Sequence, residues 1–479
     1  MKPFLTPLLA TASLTLLCAQ KLPAASPSYA VVVKESVYQD AEWEKVCQAL
    51  LKKHPGAKLV KWQKNLTDAL PALRTTHPEF TCFVTPGTET GPQFVAEVHR
   101  LTRRYDDDVY TDTRWGILTG YNAEAALNLA KFNQPITVRK TSSGTELAMD
   151  MVEQAVWYDE LVKNKTVRKN TPDGKAVESK CPTDTTQLLA DTLTEWKSDL
   201  FITSGHGYKE GWQIGFRYKN GFFKSNDGKL FGKDTTGKTF PITSDHPRIY
   251  LPIGNCLIGC IENKNAFALA MMKSAGVKGM IGYTVPTWFG YAGWGMLDYF
   301  VEQPGRYSLN EAFIANQHAL VHRLDSSFLD SMKHNPAPGK TVRITPKPVP
   351  GRYAVCSDSR DFPGLLHDRD VLAYYGDPAL QAKMATRECA YDQKLTIEGD
   401  TYTLTVTGKR GDKSFSPINT NGSQRGGRPI IAFLPKRIGK ATITQGKEFS
   451  PTIADDFILI PNPNKGDKII VQWKASTQP

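Results

Sequence analysis

Two stretches of the chain bring together residue types that can do covalent chemistry. In the first, Leu200-Phe-Ile-Thr-Ser-Gly-His206-Gly207, a short apolar run ends at a histidine flanked by glycines. In the second, Arg248-Ile-Tyr-Leu-Pro-Ile-Gly-Asn-Cys256-Leu-Ile-Gly259, another apolar run ends at a cysteine. A thiol is mostly protonated at neutral pH, and a nearby imidazole can activate it or give a proton to a leaving amine. Glycines beside the histidine leave room for a substrate backbone. The main-chain N–H groups of Gly207 and Cys256 are placed to hold a developing oxyanion. Either segment alone has a plain explanation, since Gly-His-Gly is frequent in loops and a buried cysteine is usually packing. Their weight comes from occurring together at two strand ends, because sites in parallel α/β sheets form at the carboxyl ends of strands. Cys260 is the rival thiol, as a disulfide partner or a redox-sensitive neighbour.

Other combinations are weaker. His318 and His322 are spaced to share a helix face, but Ala319 stands where a zinc peptidase needs glutamate, which favours structural or surface histidines. Asp106, Asp107 and Asp108, with Asp112, could hold a structural calcium, yet the glycine and glutamate spacing of an EF-hand is missing, which favours a solvated acidic turn. There is no phosphate-binding Gly-Lys-Ser/Thr loop and no paired Cys-x-x-Cys zinc motif. The reaction is therefore expected to use no cofactor.

The surrounding elements read as α/β. Strands are expected at 29–34, 58–62 and 80–85, with helices at 42–53 and 96–104 between and after them. The pattern resumes with strands at 200–203, 248–253 and 277–283 and a helix at 266–274. Alternation of this kind predicts a mostly parallel sheet flanked by helices. After about residue 384 the period changes to two, with strands at 394–407, 429–434, 440–444, 457–460 and 468–473. That tail reads as a small antiparallel sandwich. The expected division is a signal peptide at 1–25, an N-terminal α/β subdomain at 26–135, a catalytic subdomain at 136–384 and a β-sandwich domain at 385–479.

A chain of 479 residues suits two to three domains, and 40% hydrophobic with 22% charged residues excludes a disordered or fibrous protein. Lys2 followed by the apolar stretch 8–19 and small residues at 24–26 reads as a secretory signal, too short to span a bilayer. The expectation is a protein secreted or held in the periplasm or at the cell surface, with no transmembrane segment. The formal net charge of +11 is spread along the chain and densest at 163–180, whose Pro172-Asp173-Gly174 marks an exposed turn, so nucleic acid is not an expected partner. With Cys18 lost in the signal and one thiol catalytic, six of the eight cysteines remain, a parity compatible with disulfides in an oxidising compartment.

In these motifs the chain resembles the gingipain-type cysteine peptidases, which have a caspase-like fold. Ser204-Gly-His206-Gly207 and Cys256-Leu-Ile-Gly259 match that family's strand-end motifs, and their interval of fifty residues is like that of caspases. Val371-Leu-Ala-Tyr-Tyr-Gly376-Asp377-Pro378 matches the motif that closes the family's catalytic domain, and Asp112 before Trp115-Gly116 matches its upstream acid. Ile117, Gly254-Asn255 and the turn from Tyr208 to Gly211 depart from the family pattern.

The resemblance implies a caspase-like, gingipain-like α/β fold followed by an immunoglobulin-like sandwich. It implies a cysteine endopeptidase acting on protein or peptide substrates through a thioacyl intermediate. Cys256 would be the nucleophile, His206 the general acid, and Asp112 the group that orients His206. Trp288 would wall the pocket for the residue before the cleaved bond, and Glu124 would be its acid, favouring Arg or Lys. A catalytically inactive caspase-like surface module that binds or assembles with partners is the alternative.

Overall fold

The computed structural model describes residues 27–340, 343–345, 347–349, 361–418, 428–463, 466 and 468–476. The expected signal peptide, Cys18 and Cys356 lie outside the described residues. Twelve strands form one large sheet: β1 Tyr29–Lys34, β2 Lys58–Trp62, β3 Phe80–Val84, β4 Arg114–Leu118, β5 Lys140–Ser143, β6 Gln154–Tyr158, β7 Lys165–Lys169, β8 Val177–Lys180, β9 Leu200–Thr203, β10 Arg248–Pro252, β11 Val277–Tyr283 and β12 Leu372–Tyr375. Their order is β2-β1-β3-β4-β12-β11-β10-β9-β5-β6-β7-β8. Two parallel blocks, β2-β1-β3-β4-β12 and β11-β10-β9-β5-β6, run in opposite directions and meet at the antiparallel pair β11–β12, and β7 and β8 extend the second block as antiparallel strands. The carboxyl ends of β9, β10 and β11 therefore share an edge with the amino ends of β4 and β12.

The inner strands are continuous apolar runs because both faces are covered. Val31, Val32 and Val33 in β1 and Phe201 and Ile202 in β9 are all buried. The helix Ala41–Lys53 buries Trp43, Val46, Cys47 and Leu50 at helical spacing, and Asp40 caps it by accepting from the N–H groups of Glu42 and Trp43. The helix expected at 96–104 spans Pro92–Leu101, with proline in its first turn.

A five-stranded antiparallel meander, Gly207–Tyr208 to Thr239–Ile242, is inserted between β9 and β10. The residues 154–180 also form strands, β6 to β8. The lysine-rich run at 163–180 is thus largely a hairpin at the sheet edge, where β8 is exposed throughout.

The tail has two antiparallel sheets, one of four strands and one of three. The stretch expected as one strand at 394–407 is a hairpin, Tyr391–Glu398 with Thr401–Gly408, which turns at Gly399 with φ +62°. Both sheets share one core that includes Tyr402, Leu404, Ile430, Ile458 and Trp473. Period-two alternation lets Phe457–Ile460 serve two cores: Ile458 and Ile460 face the tail, whereas Phe457 and Leu459 join the core of the α/β part. No helix among the described residues is long and apolar enough to cross a membrane.

Candidate active site

The two chemistry-bearing segments are direct neighbours. β9 and β10 pair in parallel, Leu200 with Ile249 through to Thr203 with Pro252, so both chains leave the sheet at the same edge. Asn255 then ties the two loops together. Its Oδ1 accepts from Thr203 Oγ1 at 2.6 Å, and its Nδ2 donates to the carbonyl of Gly205 at 3.1 Å. Thr203 Oγ1 also meets the Tyr250 hydroxyl at 2.9 Å, which anchors the strut in the buried sheet. Asn255 departs from the family pattern in sequence, yet it is the residue that fixes the His206 loop against the Cys256 loop.

The backbone at this edge is closely packed and locally strained. A Cβ on Gly207 would lie 2.5 Å from the carbonyl oxygen of Cys256, so only glycine permits that approach. A Cβ on Gly259 would lie 2.3 Å from the carbonyl of Gly282, which accounts for the Cys-x-x-Gly spacing: the chain after Cys256 turns back across β11, where Gly259 N–H donates to Tyr283 at 2.8 Å. Between them Leu257 has φ +62°, a left-handed conformation that is costly for a bulky residue. Strain of this kind persists only where the surroundings over-determine it, and here it sits next to the thiol.

Cys256 is free and half-buried. Its Sγ accepts from the N–H of Thr287 at 3.3 Å and faces the Thr287 carbonyl at 3.8 Å. His206 is exposed, and its ring lies against Phe216 with centroids 4.9 Å apart. The hydrogen bonds of Sγ go to Thr287, and none joins it to the imidazole. Cys260 differs: it is buried, and desolvation with nearby Glu262 pushes its thiol up to about 12, so it stays protonated and unreactive.

Three exposed aromatics stand next to the pair in the chain or in space: Tyr208 two residues after His206, Phe216 against the His206 ring, and Trp288 directly after Thr287. They are the only aromatic side chains among the exposed large hydrophobic residues described. Trp288 is 73% exposed and directly follows Thr287, so it is not a core tryptophan. Apolar surface gathered at one place marks a contact site for another molecule. Tyr208 and Phe216 were not recognisable in sequence, because the meander that presents them has no long apolar run.

Two expected residues do not join the site. Asp112 precedes β4 and shares the sheet edge, but four strand spacings, roughly 19 Å, separate β4 from β9. Its carboxylate accepts from the N–H of Tyr105 at 2.7 Å, and burial together with Asp106 pushes it up to about 9. A carboxyl that is neutral near pH 7 cannot stabilise an imidazolium. Glu124 is exposed at the start of the helix Ala123–Lys131, beyond the carboxyl end of β4 and so at the opposite edge of the sheet.

Two acids stand at the edge that carries His206, past the ends of β5 and β6, the strands beyond β9. Glu160 is buried, and its Oε1 accepts from Thr145 Oγ1 at 2.5 Å and from Ser204 Oγ at 3.4 Å. Glu146 is half-buried, three residues past the end of β5, which pairs with β9. Sequence reasoning missed both because β5, Lys-Thr-Ser-Ser, carries no apolar signal.

The remaining candidates are engaged by other side chains or by the backbone. His318 is buried and stacked on Phe457 at 4.1 Å, and desolvation pushes its pKa down to about 3. The His322 ring meets the Tyr110 hydroxyl at 3.0 Å. Asp106, Asp108 and Asp112 bring carboxylate oxygens within 4.8 Å of one another and so could hold a cation. Each already accepts from a backbone N–H of its own turn, at 2.7 to 2.9 Å. Among the described residues, Cys47, Cys82, Cys181, Cys256, Cys260 and Cys389 are free and form no disulfide with one another.

No family model matches the chain, and no curated protein does. Among solved structures, the chain is similar to the Arg-specific cysteine proteinase gingipain R, at 12% identity and a TM-score of 0.40 over 94% of this chain and 98% of that one. A complex of Porphyromonas gingivalis RgpB pro- and mature domains gives 10% identity and a TM-score of 0.41 over 94% and 93%. A third structure, described as a protease, gives 9% and 0.37 over 95% and 98%.

Proposed function

We propose that the protein is an exported cysteine endopeptidase of the caspase-like, gingipain-like kind with an immunoglobulin-like tail. The observation that carries this reading is the parallel pairing of β9 with β10. It delivers His206 and the free thiol of Cys256 to one edge, joined by Asn255. Cys256 Sγ attacks the peptide carbonyl carbon as its proton passes to His206, and the N–H groups of Gly207 and Cys256 hold the oxyanion. As the carbon–nitrogen bond breaks, His206 gives that proton to the leaving amine, which leaves a thioester on Cys256. Water then attacks the thioester as His206 accepts its proton, and the carboxylic acid departs as His206 returns that proton to Sγ and restores the thiol.

Tyr208, Phe216 and Trp288 supply the apolar walls. Glu160 takes the role expected of Glu124, placing a carboxylate beside Ser204, so a basic side chain before the cleaved bond is favoured. A fluorogenic peptide library assayed on the purified protein tests this reading. Cleavage with a preference for Arg or Lys, lost by at least about 10³-fold in Cys256→Ala, is expected. Iodoacetamide should label Cys256 and spare Cys260. Absence of turnover with every peptide would leave the inactive binding module as the better account.

A further inference from the structure

A cavity of about 550 Å³ lies apart from Cys256, between the end of the helix Pro92–Leu101, the turn Leu66–Ala69 and the segment from Met332 to Asn335. Its volume is within the range of small-molecule sites. Three arginines, Arg100, Arg103 and Arg104, contribute to its wall, and Leu66, Val109 and Met332 supply apolar surface beside them.

The guanidinium groups here are only partly paired. Asp370 is the one carboxylate serving three guanidinium groups: Arg100 Nε at 2.9 Å, Arg103 Nη2 at 2.6 Å and Arg369 Nη2 at 2.7 Å. Arg104 is exposed, and its guanidinium has no partner among the described residues. Nη1 of Arg103 is buried without an acceptor. Two acids also stand on the wall: Glu97 accepts from Gln93 Nε2 at 2.9 Å, and Asp108 accepts from the N–H of Tyr110 at 2.7 Å while burial and nearby Asp106 push its carboxyl up to about 7. Guanidinium groups are suited to planar, bidentate oxyanions, and the adjacent apolar surface suits a hydrocarbon body.

We propose that this cavity binds a molecule carrying a carboxylate or phosphate oxyanion on an apolar body. The site is independent of peptide hydrolysis. Arg104 presents the charge, Arg100 being held by Asp370 and by the Pro336 carbonyl at 2.7 Å, while Leu66, Val109 and Met332 cover the body. The two sources of such a group, a peptide carboxyl terminus and a phosphorylated aromatic, are separated by choice of probe.

Isothermal titration of the whole protein with hippurate, phenyl phosphate and inorganic phosphate tests this. One of the first two should bind saturably at one site, at least tenfold more tightly than inorganic phosphate. The tighter of the two assigns the source. Arg104→Gln should weaken that binding at least tenfold and leave any peptidase activity unchanged. Thr67→Glu, an exposed substitution on the same wall, should weaken it likewise by repulsion. No saturable binding of either organic probe, binding no tighter than inorganic phosphate, or affinity unmoved by both substitutions would overturn the proposal.

Discussion

Two clusters of reactive side-chain types lie on the large sheet, and they are built in opposite ways. In the first, the carboxylate of Asp377 accepts from the Tyr29 hydroxyl at 2.9 Å, His54 Nε2 at 2.8 Å and the N–H of Ala379 at 2.9 Å, and it pairs with Lys53 at 2.8 Å. His54 stacks on Tyr29 at 3.9 Å, and the buried thiol of Cys82 is coupled to the same group. By composition alone, with histidine, aspartate, tyrosine and cysteine together, this cluster is the richer of the two. Yet every partner is satisfied and the carboxylate is sealed, so it locks the helix Ala41–Lys53 to the sheet. In the second, His206 is exposed, Cys256 is half-buried, and the backbone beside the thiol is strained. Availability to a third molecule, not the inventory of residue types, separates a reactive site from a structural one.

That contrast can be broken most forcefully at Asp377. Replacement by alanine strands Lys53, His54 and the Tyr29 hydroxyl, and should cost about 3–5 kcal/mol of stability by urea denaturation. Cys256→Ala should leave stability nearly unchanged. Burial alone would raise the Asp377 carboxyl, but the hydrogen bond from His54 and the charge of Lys53 hold it well below its ordinary range. Its folded pKa is thus depressed, so its contribution is present above the unfolded value near pH 3.9 and is lost as pH falls below it. Asp377→Asn should therefore flatten the acid limb of the stability curve between about pH 4 and pH 2. An unaltered limb would show that the pairing does not set it.

The next effect is at Asn255. Alanine removes both hydrogen bonds that join the two loops, which at about 1–3 kcal/mol corresponds to roughly a 10- to 100-fold fall in kcat. KM should change less than about twofold, because the aromatic walls are untouched. Asn255→Asp keeps the acceptor for Thr203 but cannot donate to Gly205, and should recover only part of the loss. A change in KM alone would remove the positioning role. The smallest effect is expected at Cys260, a thiol pushed up to about 12 by burial and Glu262. Cys260→Ser should leave activity and iodoacetamide incorporation within about twofold of the parent protein. A larger loss would show that the second thiol takes part.

Much of this architecture was legible in the sequence where the pattern was strong. Continuous apolar runs marked β1, β3, β9, β10 and β11, because strands covered on both faces cannot alternate. The change to period two marked the tail. β5 to β8 and the meander were not legible, since Lys-Thr-Ser-Ser and the lysine-rich hairpin gain their strand form from pairing with neighbours, not from their own hydrophobicity. The same limit applied to the acids. Asp112 and Glu124 were chosen by position along the chain, whereas Glu146 and Glu160 reach the His206 edge because β5 pairs with β9.

The sequence by itself determined the reactive residue types, His206 and Cys256, and the strand ends that carry them, since an apolar run meeting glycine-flanked polar residues is a local signal. Only the tertiary structure decided which strands are neighbours and in which direction each runs. Those choices set which side chains share an edge, and they depend on contacts between segments far apart in the chain. They placed Asp112 and Glu124 away from the thiol, set Asn255 as the strut and gathered the arginines beside Asp370.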